Sequence, residues 1–305
     1  MCKSWVKIKK ILNPNDSKAK WLGSHCGASF LHTTQIKGIY ELFVTGRDLD
    51  NCSQIGRLKL IFNNKQINVD YSDSKICFTK GNKGDFDEDG VAYPWFIKKE
   101  DGATLMYYVG WKKGTRIPFK NNIGIALYKN GLFERFSKEA LHIKNEKNPF
   151  GLGSCAIDKR DDGYLMWYTC FKKWNEDIGN YSPKYSINVA KSQDGLNWEK
   201  IGENIFHKTN NDCECRPTFL RNNEKYEMWF SARGNDYKIY KSISSDGLIW
   251  EQERQDIKLS DDGWDSKGMS YPYVFNHENN TYMIYSGNKY GKGGLGIAMR
   301  KRKRK

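Results

Sequence analysis

The strongest constraint on this chain is that it carries the same short strand five times. Met106-Tyr107-Tyr108-Val109-Gly110, Met166-Trp167-Tyr168-Thr169-Cys170, Met228-Trp229-Phe230-Ser231-Ala232 and Met283-Ile284-Tyr285-Ser286-Gly287 are variants of one pattern, and Leu42-Phe43-Val44-Thr45-Gly46 is a weaker fifth copy. The copies begin at residues 42, 106, 166, 228 and 283, about sixty residues apart. A period of that length built from strand-like units predicts a closed ring of β-sheet blades. Such a ring has one default functional place, the central channel where the first strands converge.

The third and fourth copies show the repeating unit best. The third runs from Gly151 to Ile157, turns at Asp161-Asp162-Gly163, and continues through Tyr164–Thr169 and Tyr185–Ala190. A tight turn at Ser192-Gln193-Asp194-Gly195 then leads to Trp198. The fourth repeats this plan from Glu214 through a turn at Asn222-Asn223, the strand Lys225–Phe230 and Tyr237–Ser242 to Ser244-Ser245-Asp246-Gly247 and Trp250. Each reads as a four-stranded antiparallel meander, with Asp-Gly supplying the positive φ that a tight hairpin turn requires. The tryptophan after each Asp-Gly is spaced to fold back over the outer strand. The second unit ends at Asn130-Gly131, and the first, from His25 to Ile61, is the most degenerate. The expected fold is therefore all-β, a five-bladed β-propeller forming one domain over residues 1–305. Its blades span about 22–80, 81–145, 146–205, 206–260 and 261–299, followed by a basic tail, 300–305. Residues 1–21 are expected to help close the ring by supplying a strand or capping an end.

At 305 residues the chain can bury a large core, and 10 Trp and 18 Tyr suit both stacked sheets and sugar-binding surfaces. The formal net charge of +14 comes partly from the tail Arg300–Lys305 and otherwise from scattered lysines. That pattern is first a solvated surface, and secondarily a preference for anionic ligands such as phosphorylated or nucleotide-linked sugars. Without zinc-finger, RNP or helix-turn-helix signatures, nucleic acid is not an expected partner. The start of the chain lacks an apolar signal region and no run is long enough for a membrane span, which predicts a cytoplasmic protein. The eight cysteines, at 2, 26, 52, 77, 155, 170, 213 and 215, have no CxxC or zinc-type spacing. They read as reduced thiols packed as small apolar residues, and neither a metal nor a cofactor is expected.

Candidate site residues follow from where a propeller exposes its innermost strands. The five openings are Ser24-His25-Cys26-Gly27, Val91-Ala92-Tyr93-Pro94, Gly153-Ser154-Cys155, Glu214-Cys215-Arg216-Pro217 and Ser270-Tyr271-Pro272. Glu214 and Arg216 alternate on one strand, so both can point to one face. They read either as a general acid or base beside an anion clamp or as a buried ion pair. The run Asp85-Phe86-Asp87-Glu88-Asp89 puts one or two carboxylates, Asp89 foremost, near the channel, or is a solvated turn. Asp265 is a second carboxylate or a backbone cap. Paired carboxylates are the basic requirement for cleaving a glycosidic bond. Tyr93, Tyr271 and Trp111 suit stacking on a sugar ring or plain packing. His25, Arg47, Arg233 and Asn288 stand at the channel ends of their strands.

These motifs resemble a known superfamily. Arg116–Ala126, Glu214–Pro217, Met228–Gly234, Trp264-Asp265-Ser266 with Tyr271-Pro272, and Tyr285–Gly291 are similar to the five-bladed propellers of glycoside hydrolase families 32, 43, 68 and 130. Within them the chain resembles a glycosidase-like branch associated with bacterial surface-polysaccharide genes. The resemblance spans about residues 22–299. It implies a carbohydrate-active enzyme that hydrolyses or transfers glycosidic bonds in surface-glycan metabolism. Glu214, Asp265 and Asp89 would be catalytic, and Arg216, Arg233, His25, Arg47, Tyr93, Trp111, Tyr271 and Asn288 would hold the sugar. The alternatives are a non-catalytic glycan-binding propeller, a phosphorylase and, more remotely, a protein-interaction ring. One departure matters: family 43 places Asp, Asp and Glu in its first three blades, whereas the matching openings here read His25-Cys26-Gly27, Tyr93-Pro94 and Ser154-Cys155. Glu214-Cys215 resembles the acid motif of family 32, displaced into the fourth unit.

Overall fold

The computed structural model describes residues 4–63, 66–129, 132–147, 150–177, 180–206, 213–222 and 225–301. The expected turn at Asn130-Gly131, Asn223 of the fourth unit's turn, Cys2 and tail residues 302–305 lie outside the described residues. The regular secondary structure of the described chain is almost entirely β-strand. After β1 (Val6–Leu12), the first unit comprises β2 (His25–Thr33), β3 (Ile39–Arg47), β4 (Ser53–Asn63) and β5 (Gln66–Phe78). The second comprises β6 (Gly90–Lys98), β7 (Thr104–Lys113), β8 (Phe119–Lys129) and β9 (Leu132–Arg135). The third holds β10 (Ile143–Lys144), β11 (Leu152–Arg160), β12 (Gly163–Asp177), β13 (Asn180–Ser192) and β14 (Trp198–Gly202). The fourth is β15 (Glu214–Arg221), β16 (Tyr226–Arg233), β17 (Tyr237–Ser244) and β18 (Glu251–Gln255). The fifth is β19 (Ser270–His277), β20 (Asn280–Ser286) and β21 (Leu295–Lys301), completed by β1, which pairs antiparallel with β21.

Consecutive strands of each unit pair antiparallel, as the meander reading expects. The third unit departs from it, because β10 adds a fifth strand parallel to β14. Neighbouring units are joined by one recurring contact, in which the start of a third strand holds the entry to the next unit's first strand. Ser53 bridges Gly90, Asn121 bridges Gly151 and Tyr185 bridges Cys213. The Met269 amide donates to the Tyr237 carbonyl at 2.9 Å in the same place. The innermost strand β2 packs against both β6 and β19.

The repeated motif is a set of positions with separate jobs. Its first residues, Leu42, Met106, Met166, Met228 and Met283, are completely buried. At the second position, the Tyr107 hydroxyl donates to the Gly195 carbonyl and the Trp167 indole donates to Gly247 at 2.8 Å. These are the Asp-Gly turns of the following units. At the third position, the hydroxyls of Tyr108, Tyr168 and Tyr285 donate to Asp87, Glu146 and Asp265. At the fourth, Thr45, Ser231 and Ser286 accept backbone N–H bonds from Tyr93, Tyr271 and Ala28 at 3.0, 2.7 and 3.4 Å, each from another unit's first strand. The fifth residue is small because an aromatic ring lies over it. A Cβ on Gly46, Gly110 or Gly287 would come within 2.9, 2.4 and 2.5 Å of Trp21, Phe86 and Trp264 respectively.

The Asp-Gly turns fold as their chemistry dictates. Asp194 and Asp246 accept the backbone N–H groups of Leu196 and Asn197 and of Leu248 and Ile249, while Gly195 and Gly247 take φ of 73° and 81°. Trp198 and Trp250 are buried against the sheet edge, with Trp250 edge-on to Trp167. The seven described cysteines are free thiols and five of them are buried. No helix among the described residues is long and apolar enough to cross a membrane.

Candidate functional site

All five first strands break register near their starts. The shifts fall between Gly27 and Phe30, Ala92 and Trp95, Leu152 and Cys155, Cys215 and Thr218, and Ser270 and Tyr273. In four of them a residue other than glycine is left-handed: Ala28, Tyr93, Arg216 and Tyr271, with φ of 44°, 57°, 52° and 55°. Each such residue costs of order 1 kcal/mol or more, and the N–H bonds to Thr45, Ser231 and Ser286 hold three of them in place. A bulge turns the side chains that follow it, so simple alternation cannot be carried across these strands.

Above the bulges lies a pocket of about 700 Å³. Its walls come from all five units, with Arg47 and Trp111, Phe171 and Trp174, Tyr185 and Tyr237, and Arg233 among them. Four of the residues that follow the repeated motif, Arg47, Trp111, Phe171 and Arg233, share this lining. Tyrosines line much of one side. Tyr93 and Tyr271 meet edge-on at 5.2 Å, Tyr237 lies 5.9 Å from Tyr271 and 5.6 Å from Tyr290, and its hydroxyl bonds to that of Tyr185. Burial pushes the phenols of Tyr93, Tyr237 and Tyr271 above their ordinary range. They are neutral hydrogen-bond donors at any physiological pH. Burial likewise raises the Cys215 thiol, which donates to Tyr237 and is unreactive.

Of the residues singled out from sequence, His25, Arg47, Tyr93, Trp111, Arg233 and Tyr271 line this pocket. Burial lowers the His25 pKa to about 4, with Arg47 and Lys292 adding to the effect, so its ring is neutral. Arg47 donates to Asn51 at 3.0 Å and lies over Trp111, whose indole donates to Ser53 at 2.7 Å. Arg233 donates to the Pro183 carbonyl at 2.8 Å and lies over Tyr185.

Glu214, Arg216, Asp265, Asp89 and Asn288 are not among the lining residues. Cys215, between Glu214 and Arg216, takes the lining position, because the bulge separates the two side chains that alternation would have placed together. Glu214 pairs with Ala232 and is register-equivalent to Cys26 and Val91, which are fully buried opposite Gly46 and Gly110. Arg216 lies beneath the Tyr93 ring, 1% exposed, and Nη2 donates to the carbonyls of Ser29 and Pro94 at 2.9 and 3.4 Å. It thereby ties the fourth unit to the first and second. Its Nε and Nη1 have no hydrogen-bond partner, and burial pulls its pKa down to about 10.

Asp265 is held by the Tyr285 hydroxyl at 3.0 Å and by Lys7 of β1 at 2.7 Å. Asp87 occupies the same role in the second unit with Tyr108 and Arg135, and Glu146 in the third with Tyr168 and Lys200. In the Asp85–Asp89 run it is thus Asp87 that is buried, whereas Asp89 accepts the Lys113 amide at 2.7 Å. Asn288 spends its amide on the loop 263–268, accepting from Lys267 and Gly268 and donating to Gly263. Tyr185 and Tyr237 belong to the pocket without standing in any of the five strand openings. The available signal was that both lie where the third strands of units three and four leave the channel end. Among the described residues no group of His, Cys, Asp and Glu gathers as a metal site.

No protein-family model matches the chain. The uncharacterized protein Rv1502 of Mycobacterium tuberculosis strain H37Rv is 34% identical over 306 residues, covering 97% of this chain and 99% of the mycobacterial one. The uncharacterized protein MT1551 of strain CDC 1551 matches to the same extent. Among solved structures, one from the GH130 family of mannoside phosphorylases superposes with a TM-score of 0.74 at 12% identity, covering 100% of this chain and 95% of that one. That family contains glycoside hydrolases that target β-1,2 mannosidic linkages in Candida mannan. A thermostable family-43 glycoside hydrolase superposes with a TM-score of 0.64 at 14% identity, over 93% and 92% of the two chains. At such identities the likeness is one of fold.

Proposed function

We propose that this chain, which belongs to the family of the uncharacterized mycobacterial proteins Rv1502 and MT1551, is a carbohydrate-active enzyme whose sugar binds in the aromatic pocket. The reading includes closure of the five units as one five-bladed propeller over residues 1–305. It is supported by the repeated contact between successive units and by the packing of β2 against β19. The observation that carries the function is the lining itself: Trp111, Trp174 and a row of neutral tyrosines at the point where five bulged strand entries meet, four of them strained. Aromatic faces suit sugar rings, and buried phenols suit their hydroxyls.

The lining also bears on the reaction. Hydrolysis by the usual scheme needs two carboxyl groups, one to protonate the leaving oxygen and one to activate water or attack. None of the described lining residues is Asp or Glu. Transfer or phosphorolysis, in which a co-substrate brings the nucleophile, asks for fewer protein carboxylates and therefore fits this lining better than hydrolysis. The same observation favours a second reading, a glycan-binding propeller without catalysis. Cytoplasmic surface-glycan metabolism, with nucleotide-linked or phosphorylated sugars, is the setting we propose.

The test is to incubate the protein with glycosides, sugar phosphates and nucleotide sugars, with and without inorganic phosphate, and to follow products by mass spectrometry. Phosphate-dependent or acceptor-dependent product supports the enzyme. Saturable sugar binding with no product supports the binding protein. Absence of both across the panel sinks the carbohydrate reading.

A further inference from the structure

Several partly buried cations elsewhere in this fold are paired with acids. Arg57 contacts Glu41 and Asp73, Arg135 contacts Asp87, Arg221 contacts Asp158, and Arg300 and Lys241 share Glu227. Lys7 and Lys200 contact Asp265 and Glu146. The cations of the pocket differ from these. Arg47, Arg233 and Lys113 all line it, and none of them has a described carboxylate within ion-pair distance. The hydrogen bonds of the two arginines go to neutral groups, the Asn51 amide for Arg47 and the Pro183 carbonyl, Cys213 thiol and Tyr290 hydroxyl for Arg233. A guanidinium carries five N–H donors, so donors of both forks are left over. Both guanidiniums are set by aromatic faces, at 5.8 Å over Trp111 and 5.5 Å over Tyr185. A half-buried guanidinium held in place without a counter-ion is a preformed site for an anion.

Resting on the reading of the pocket as a sugar site, we infer that its substrate class is acidic sugars: Arg47 and Arg233 bind a negatively charged substituent while the aromatic wall takes the ring. Phosphate and carboxylate share the recognition chemistry, since both present planar or near-planar oxygen pairs to a guanidinium fork. Neutral sugars lack the group and leave two cations uncompensated. Arg47 closes the second strand of the first unit and Arg233 that of the fourth, so the requirement for an anion is built into two separate units.

The experiment is calorimetric titration of the full chain at low ionic strength with matched probes: glucose, mannose and galactose, their 1-phosphates, glucuronate and galacturonate, and inorganic phosphate alone. The same titrations use Arg47→Gln, Arg233→Gln and, as a surface control, Arg221→Gln, after each variant's melting curve shows that it is folded. At least one acidic sugar should bind about 10- to 100-fold more tightly than its neutral parent, the range expected of charge-assisted hydrogen bonds. Arg47→Gln and Arg233→Gln should remove that advantage, bringing the acidic sugar to the affinity of its neutral parent in the same variant, and Arg221→Gln should not. Added salt should weaken the acidic ligand alone. Tighter binding of phosphates or of uronates identifies which anion the site takes. Equal binding of neutral and acidic sugars overturns this inference and leaves the sugar site standing. Inorganic phosphate binding as tightly as every sugar phosphate keeps the anion site and removes the sugar reading. Loss of any arginine-dependent binding across all probes overturns the anion site.

Discussion

Asp265 separates two accounts of this protein, and Asp265→Asn tests them directly. The sequence casts Asp265 as a channel carboxylate, whereas the structure gives it two partners away from the pocket. The residue is 1% exposed, and its carboxylate accepts the Tyr285 hydroxyl at 3.0 Å and pairs with Lys7 at 2.7 Å. Asparagine keeps the volume and an acceptor for Tyr285 but removes the charge opposite Lys7. Breaking a buried pair by removing one partner costs about 3–5 kcal/mol. The Lys7 ammonium is 24% exposed and also donates to Ser260 at 2.9 Å, so the expected loss lies lower, about 2–3 kcal/mol. For 305 residues the unfolding entropy is roughly 0.6 kcal/mol per kelvin, so the melting temperature should drop by about 3–5 °C. Unfolding followed by circular dichroism reads this out, and Lys7→Met with the double variant should give a coupling of about 1–2 kcal/mol. Ligand affinity and turnover per folded molecule should stay at the wild-type level. A variant that melts like wild type but has lost binding or turnover would refute the structural role of Asp265.

Three further outcomes follow from the same geometry. Ser231→Ala removes the acceptor of the Tyr271 amide, leaving a buried N–H unsatisfied; it should cost about 1–3 kcal/mol in urea unfolding and weaken sugar binding, because Tyr271 is a pocket wall. Gly247→Ala forces a side chain onto a φ of 81° with its Cβ 2.9 Å from Trp167, so it should lose at least about 1 kcal/mol, whereas the exposed Gly234, with open space around it, should tolerate alanine. His25 titrates at about 4 when folded and near its ordinary value of 6.5 when unfolded. The unfolded chain therefore binds more protons between those values, and stability falls as pH drops from about 6.5 towards 4. His25→Gln should flatten that part of the melting-temperature profile, and an unchanged profile would contradict the burial of the ring.

The repeat was legible because it is local. A strand of five residues, an Asp-Gly turn and a tryptophan at fixed spacing each act through backbone geometry that neighbours in sequence supply. Trp198, Trp250 and the turns at Asp194 and Asp246 therefore came out where the pattern put them. Much of the pocket was legible too, since Arg47, Trp111 and Arg233 all follow the repeated motif directly. The acidic residues were not. Glu214 and Arg216 share a face only if the strand is regular, and the bulge at Arg216 breaks that alternation. Asp265 and Asp87 sit close to first strands in sequence, yet their partners are the third-position tyrosines and a cation from an outer strand.

Sequence alone carries the strand meanders, since the five-residue strand repeats in every unit and the Asp-Gly turn with its tryptophan in the third and fourth, and both act through local backbone geometry. Tertiary structure decides which charges meet. Lys7 reaches Asp265 from far along the chain, and Arg216 reaches carbonyls of two other units. It also leaves Arg47 and Arg233 facing a pocket with no described acid in its lining. A charge is paired or left for a ligand according to its neighbours in space, and those neighbours are assigned only when the five units come together.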